Sequence, residues 1–248
     1  MPRKYSGPLQ PGRKSAYVPG ARRNRYPAFR RPRRQSLAKM VQNMSLAKCE
    51  TKTASQQTPA LGLNLYHNVT NYVPNLLLTK QAITANPGNA ETANRIGNEV
   101  VARGLKIRMQ ILSSPKRPNL NFKWFVFRYE ANEPLNDALF WSGPAGAGGN
   151  NNRMLDFVDT RNITILKSGL VQNRNKVPPT DEGTINSVYR DIWIPLNNKK
   201  IKYNGNNSDL PKYTTIGMAC LSYDANDSLQ TDILNFWNYT SRFYFKDP

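Results

Sequence analysis

Seven arginines fall within the sixteen residues GARRNRYPAFRRPRRQ, Gly20 to Gln35: Arg22, Arg23, Arg25, Arg30, Arg31, Arg33 and Arg34. Tyr26 and Phe29 are set among them, and the stretch holds no acid. A guanidinium is a planar fork that matches phosphate oxygens, and an aromatic ring offers a face on which an unpaired base stacks. This interleaving suits single-stranded nucleic acid and asks for no particular base sequence. Arg3, Lys4, Arg13 and Lys14 before it and Lys39 after it extend the same chemistry, with Tyr5 and Tyr17 as further rings. The same seven arginines also have the composition of a nuclear-import signal, and the two uses are compatible.

Charge is segregated along the chain. Thirteen of the 35 basic residues and none of the 16 acidic ones lie in Met1 to Lys48. That leaves +6 of the total +19 on the rest of the 248 residues. A charge concentrated in a fifth of a chain points to a polyanionic partner, either nucleic acid or an anionic membrane. No run approaches the eighteen or so apolar residues of a spanning helix, and the N-terminus has no apolar signal-peptide core. No membrane insertion is therefore expected, and the protein is expected to stay in the cytosol or nucleus. Residues 1–48 also hold six prolines and show no sustained apolar period beyond a turn or two around Leu37 to Met44. Such a segment buries too little surface to offset its ordering entropy and is expected to be disordered when free. If all its charges neutralised phosphates, the salt slope for single strands would be roughly nine as an upper bound.

From Cys49 onward apolar residues recur with period two. Leu105, Ile107, Met109 and Ile111 alternate with Lys106, Arg108 and Gln110, which predicts a strand with one buried face. NFKWFVFRYE (121–130) is apolar on both faces and belongs in the middle of a sheet. RNITILKSGL (161–170) and SVYRDIWIPL (187–196) repeat the signal, the second with Val188, Ile192, Ile194 and Leu196 on one side. Tyr213 to Tyr223 and Phe236 to Lys246 complete a set of at least six, the last with Trp237, Tyr239, Phe243 and Phe245 opposite Asn238, Thr240, Arg242 and Lys246. Turn signals lie between them at 114–119, 143–152, 175–183 and 204–211. A short helix is expected near Pro134 to Trp141. Without crossover helices the sheet is expected to be antiparallel, in an all-β sandwich or jelly roll.

No residues assemble a reaction centre. The one histidine, His67, has no nearby carboxylate or nucleophile motif and is read as a packed or surface residue. GPAGAGGNN lacks the Gly-Lys-Ser/Thr ending of a phosphate loop. Asp156 with Asp159, and Asp181 with Glu182, are read as solvated loop acids. Cys49 and Cys220 are expected as unpaired thiols, and no metal or cofactor site is assigned.

Four stretches carry a resemblance to a known family: NRIGNEVVARGLKIRMQI (94–111), with its Arg-x-Gly segment; WFVFRYE (124–130); DTRNITILKSG (159–169); and the chain's end, IKYNGNN, TTIGMACLSYDAND and NYTSRFYFKDP. Together with the basic arm, they make the chain similar to capsid proteins of small circular single-stranded DNA viruses, the geminivirus and circovirus assemblage. The resemblance covers roughly Arg95 to Pro248; Gln42 to Asn94 matches nothing. It implies an eight-stranded antiparallel jelly roll over 49–248, whose copies close into a small icosahedral shell of T=1 size. The arm would lie inside on the single-stranded DNA genome and be read by the host nuclear import machinery. The virion and the host nucleus are then the implied locations. The chain departs from geminiviruses in lacking the Cys/His cluster of some members, so zinc-assisted binding is not implied. Lys106 and Arg108 either line the interior or belong to an ordinary solvated face. A cellular β-rich nucleic-acid-binding protein and a jelly-roll capsid of a small RNA virus share much of the same physics.

Overall fold

The computed structural model describes residues 36–59, 62–80, 95–113, 119–142, 152–174, 186–205, 208–224 and 229–247. The chain divides into two units, Met1–Met44 and Ser45–Pro248. A helix, α1 (Leu37–Lys48), is longer than the turn or two its sequence suggests. Leu37, Met40, Val41 and Met44 fall at helical spacing and form one stripe along it.

The second unit is built from strands. Along one sheet edge run β1 (Lys52–Gln57) and β2 (Leu63–Tyr66), both paired antiparallel to β11 (Ile233–Lys246). β1 faces Thr240 to Phe245 and β2 faces Ile233 to Trp237, so the two are successive pieces of one interrupted edge strand. The break closes at Gly62, whose φ of +71° favours glycine and whose N–H donates to the Pro59 carbonyl at 2.9 Å. Next to β11 lie β4 (Glu99–Ser113) and then β9 (Asn186–Lys202). The second sheet runs β3 (Thr70–Val73), β10 (Thr214–Asp224), β5 (Asn119–Glu130), β8 (Thr164–Arg174). Among the described residues every ladder of these two sheets is antiparallel, and with β1 and β2 counted as one strand each of the two has four. This strand order is a jelly roll.

The period-two residues meet between the sheets. Leu105, Ile107, Met109 and Ile111 from β4, Ile192 and Ile194 from β9, and Trp237, Phe243 and Phe245 from β11 face Phe122, Trp124, Val126, Met218 and Cys220. Full burial of such a side chain is worth roughly 1.5–3 kcal/mol relative to exposure. β5 lies inside its sheet, and its double-sided apolar pattern has a second destination. Phe125, Phe127 and Tyr129 point away from the first core and pack with Phe140, Trp141 and Ile163. That cover consists of α2 (Asp137–Phe140), β6 (Trp141–Ser142) and its partner β7 (Phe157–Val158). The Asn136 side chain caps α2 by accepting from Leu139 N–H at 2.9 Å, one residue type well suited to that role.

Two expectations need correction. Asp156 and Asp159 are buried rather than solvated. Asp159 accepts from the Arg161 backbone N–H, Nε and Nη2 at 2.9, 3.1 and 2.9 Å, and the Arg161 guanidinium holds its carboxyl below the usual carboxylate range. Lys246 occupies the polar face of β11 yet is only 6 % exposed, because the segment leading into β1 crosses over it. Its ammonium donates to the carbonyls of Leu46 and, at 2.7 Å, of Cys49. Asp181 and Glu182 lie outside the described residues. His67 is packed: it lies 9 % exposed, its ring 5.0 Å from Tyr223, and its Nδ1 accepts from the Asp224 N–H at 3.3 Å.

Candidate nucleic-acid interface

Of the residues expected to hold phosphate, Arg3, Lys4, Arg13, Lys14, Arg22, Arg23, Arg25, Arg30, Arg31, Arg33 and Arg34 lie outside the described residues, as do Tyr26 and Phe29. Lys39 is a backbone position on α1. What the described residues do bring together is a basic and aromatic sheet surface around Lys106 and Arg108.

The register builds that surface. Core residues on β4 alternate with Lys106, Arg108 and Gln110, whose side chains take the opposite face of the sheet. Antiparallel pairing sets Arg242 of β11 opposite Lys106 and Thr240 opposite Arg108. On the other flank Trp193 of β9 lies opposite Lys106, Asp191 opposite Arg108 and Tyr189 opposite Gln110. A bulge then interrupts the ladder between Ala102 and Gly104. Ala102 and Leu105 both belong to the inter-sheet core, so the inserted residue leaves Arg103 and Gly104 together on the outer side, and Arg103 is exposed.

Trp193 is laid over Gly104. A methyl group on that glycine would sit 2.2 Å from the indole Cζ2, so the absence of a side chain there is what lets the ring lie down. The Trp193 and Tyr244 rings meet in a T-shaped contact at a centroid distance of 5.6 Å. Asp191 is shared by two cations, Lys106 Nζ at 3.3 Å and Arg108 Nε at 3.6 Å. Tyr189 is tied to Gln110, whose Nε2 donates to the phenol oxygen at 2.5 Å. Beside these residues lies an open depression of about 870 Å³ between β1, β11, β4 and β9, reaching Gln57, Asn238 and Thr240. Between Arg103 and Gln110, strand positions on this face present four cations, Arg103, Lys106, Arg108 and Arg242, against one carboxylate, Asp191.

Farther along β9 the face changes character. Lys200 and Lys202 are paired with Glu99 at 2.8 and 4.0 Å, and the Lys200 hydrogen bond holds the Glu99 carboxyl below its ordinary range. The Arg-x-Gly segment has a structural use. Arg95 is fully buried, its guanidinium 4.3 Å from the Tyr203 ring centroid, and its Nη2 donates to the carbonyls of Gly205 and Ser208 at 3.2 and 2.5 Å. Burial lowers its pKa from the ordinary arginine value and pushes the Tyr203 phenol up to about 12. Tyr203 OH in turn donates to the Leu77 carbonyl at 2.9 Å, so this pair pins the chain end of β9 to the exit of β3.

Sequence reasoning reached Lys106 and Arg108 but not Trp193, Tyr189, Arg103 or Arg242. One signal was present: in SVYRDIWIPL two aromatics occupy the polar parity, where a solvated strand face has no use for them.

No protein-family model matches the chain, and no curated protein matches it. Among solved structures it is similar to a Desmodium yellow mottle tymovirus structure, at 11% identity and a TM-score of 0.36 over 81% of this chain and 89% of that one. A turnip yellow mosaic virus structure is similar at 10% identity and a TM-score of 0.35, over 81% and 82%. A T13 IBDV viral particle is similar at 11% identity and a TM-score of 0.27, over 80% of this chain and 32% of that one. Likeness at this level says nothing of function; the chain is an antiparallel two-sheet jelly roll on the strength of its own strand order.

Proposed function

We propose that the chain is a structural capsid protein that self-assembles into a small icosahedral shell and packages single-stranded DNA through residues 1–48. The observation that carries this reading is the segregation of charge, with thirteen basic residues and no acid in that segment. A shell must concentrate a polyanion against its own repulsion, and arginine-rich segments supply counter-charge without demanding a defined genome structure. The jelly-roll unit provides the rigid remainder. Leu155 and Phe157, 68 % and 81 % exposed, are large apolar side chains of the kind that seek cover from a neighbouring copy. The sequence resemblance to capsid proteins of small circular single-stranded DNA viruses supports the same assignment. In this reading the seven arginines of 20–35 also serve import to the host nucleus, and the protein is a virion component with no catalytic role and no cofactor.

Sedimentation and negative-stain microscopy of the purified full-length protein test the reading. Uniform particles that protect single-stranded DNA from nuclease are expected. A species that stays monomeric or dimeric with DNA present under all assembly conditions overturns the shell assignment in favour of a cellular nucleic-acid-binding protein. Protected cargo that sequences as RNA overturns the DNA assignment while leaving the shell in place.

A further inference from the structure

We propose that the outer face of the β11–β4–β9 sheet is a second nucleic-acid contact: a single strand lies across it, bases stacking on Trp193 and Tyr189 and phosphates reaching Arg242, Lys106, Arg108 and Arg103. The inference rests on the packaging reading and extends it from the arm to the folded unit.

Two independent observations carry it. The first is electrostatic. Arg242 and Lys106 stand directly opposite each other, an arrangement that is destabilising relative to neutral neighbours. The bulge adds Arg103 to the same stretch, where one carboxylate, Asp191, answers four cations, while Glu99 farther along the sheet is taken up by Lys200 and Lys202. A surface that breaks the pairing rule in this way is complementary to an anion. The second is aromatic. Trp193 is 47 % exposed and Tyr189 66 %, although both could have been buried by a change of parity on the same strand. Trp193 rests against Gly104 and Tyr244 yet keeps nearly half of its surface in solvent, which leaves ring surface available for stacking.

The spacing fits one occupant. Trp193 and Tyr189 are four residues apart on β9, about 13 Å at strand rise, while Lys106 and Arg108 form a parallel row on the adjacent strand about 5 Å away. A track of rings beside a track of cations matches a polymer with bases on one side and phosphates on the other. The chain's own residues 1–48 are arginine-rich and are repelled by this face. An acidic peptide would satisfy the cations but leave the rings without partners. The amides of Gln57 and Asn238 in the adjoining depression add donors and acceptors for base edges.

Tryptophan emission reads the contact directly. Trp124, Trp141 and Trp237 are 7 %, 2 % and 0 % exposed, so Trp193 is the indole that solvent reaches. Titrating the full-length protein with oligothymidylate is expected to quench emission as the complex forms. Trp193→Phe is expected to abolish most of that quenching while retaining binding measured by anisotropy of a labelled oligonucleotide. The paired variant Arg108→Gln/Arg242→Gln is expected to lower the slope of log K against log salt by about 1.4, at roughly 0.7 per phosphate contact. Binding without any change in Trp193 emission overturns the proposal and leaves the arm reading intact, whereas no binding at all defeats both. Equal quenching by polyglutamate overturns it in favour of a general acidic partner. A change of emission on self-assembly in the absence of nucleic acid overturns it in favour of a second copy covering the face.

Discussion

Phe140→Ala asks whether the cover over the second sheet belongs to the cooperative core of the domain. Phe140 is fully buried, with ring centroids of Trp141, Phe127, Phe125 and Tyr72 at 4.8, 4.9, 5.3 and 5.5 Å, four edge-on contacts at one side chain. Truncating a buried phenylalanine costs about 3–5 kcal/mol, and each lost aromatic pair adds about 0.5–1.5 kcal/mol beyond its area, so the upper end of the first range applies. At a urea dependence of about 3 kcal/mol per molar, a loss of about 4.5 kcal/mol moves the midpoint down by about 1.5 M. The assay is urea unfolding of the full-length protein followed in parallel by tryptophan emission and far-UV circular dichroism. Both transitions should move together with an unchanged slope. Phe157→Ala, on the same cover but 81 % exposed, should stay within about 0.5 kcal/mol of the parent. A Phe140→Ala midpoint shift under about 0.3 M, or a fluorescence transition that separates from the dichroism transition, would refute the idea that β5 is clamped from both sides in one cooperative unit.

Burial holds the Tyr203 phenol at about 12 against an ordinary value of 10.0, so the folded state keeps its proton more tightly and the associated stability is complete below pH 10 and lost between pH 10 and 12. Tyr203→Phe should therefore remove up to one proton from the slope of unfolding free energy against pH in that window; an unchanged slope would show that Tyr203 is not held this way. Burial likewise pushes the Cys220 thiol up to about 12, while Cys49 is half-buried. A disulfide reagent at pH 8 should label one thiol in the native protein and the second only on unfolding, and rapid labelling of both would contradict the packing of β10. Asp191→Asn removes the carboxylate shared by Lys106 and Arg108, so it should lower stability by under about 1 kcal/mol at low salt while tightening oligothymidylate binding. Weaker binding by this variant would mean that Asp191 positions the cations for the ligand rather than competing with it.

Much of the fold was legible because its strands are long and one-sided. β4 reads off the alternation Leu105, Ile107, Met109, Ile111, and the two-faced run Trp124 to Phe127 announces a strand buried from both sides. β1, β2 and β3 were not legible, for a physical reason. They are six, four and four residues long, KTASQQ holds one buried apolar residue, Ala54, and all three are edge strands stabilised by ladders to β11 and β10 rather than by their own pattern. Lys246 was misread because its burial comes from a segment remote in sequence, and no local composition reports a chain crossing overhead. The candidate sites divide in the same way. The arginine-rich segment is a matter of composition and falls almost wholly outside the described residues, whereas the sheet surface depends on residues near 105, 190 and 242 meeting through register.

That register is not free to relax the charges it brings together. Sliding β11 by one residue against β4 would separate Arg242 from Lys106, but it would also turn Trp237, Phe243 and Phe245 out of the inter-sheet core. Several buried aromatics at roughly 1.5–3 kcal/mol each outweigh a like-charge contact of under about 1 kcal/mol, so the core dictates the juxtaposition and the surface bears its cost. Sequence is the only remaining means of removing the repulsion, and a glutamate or threonine at position 242 would do so without touching the core. Arginine stands there instead, beside a bulge that presents a further arginine and a glycine that lets an indole lie flat. Packing therefore explains where these side chains are and leaves their identities unexplained, which is what the proposed nucleic-acid contact would account for.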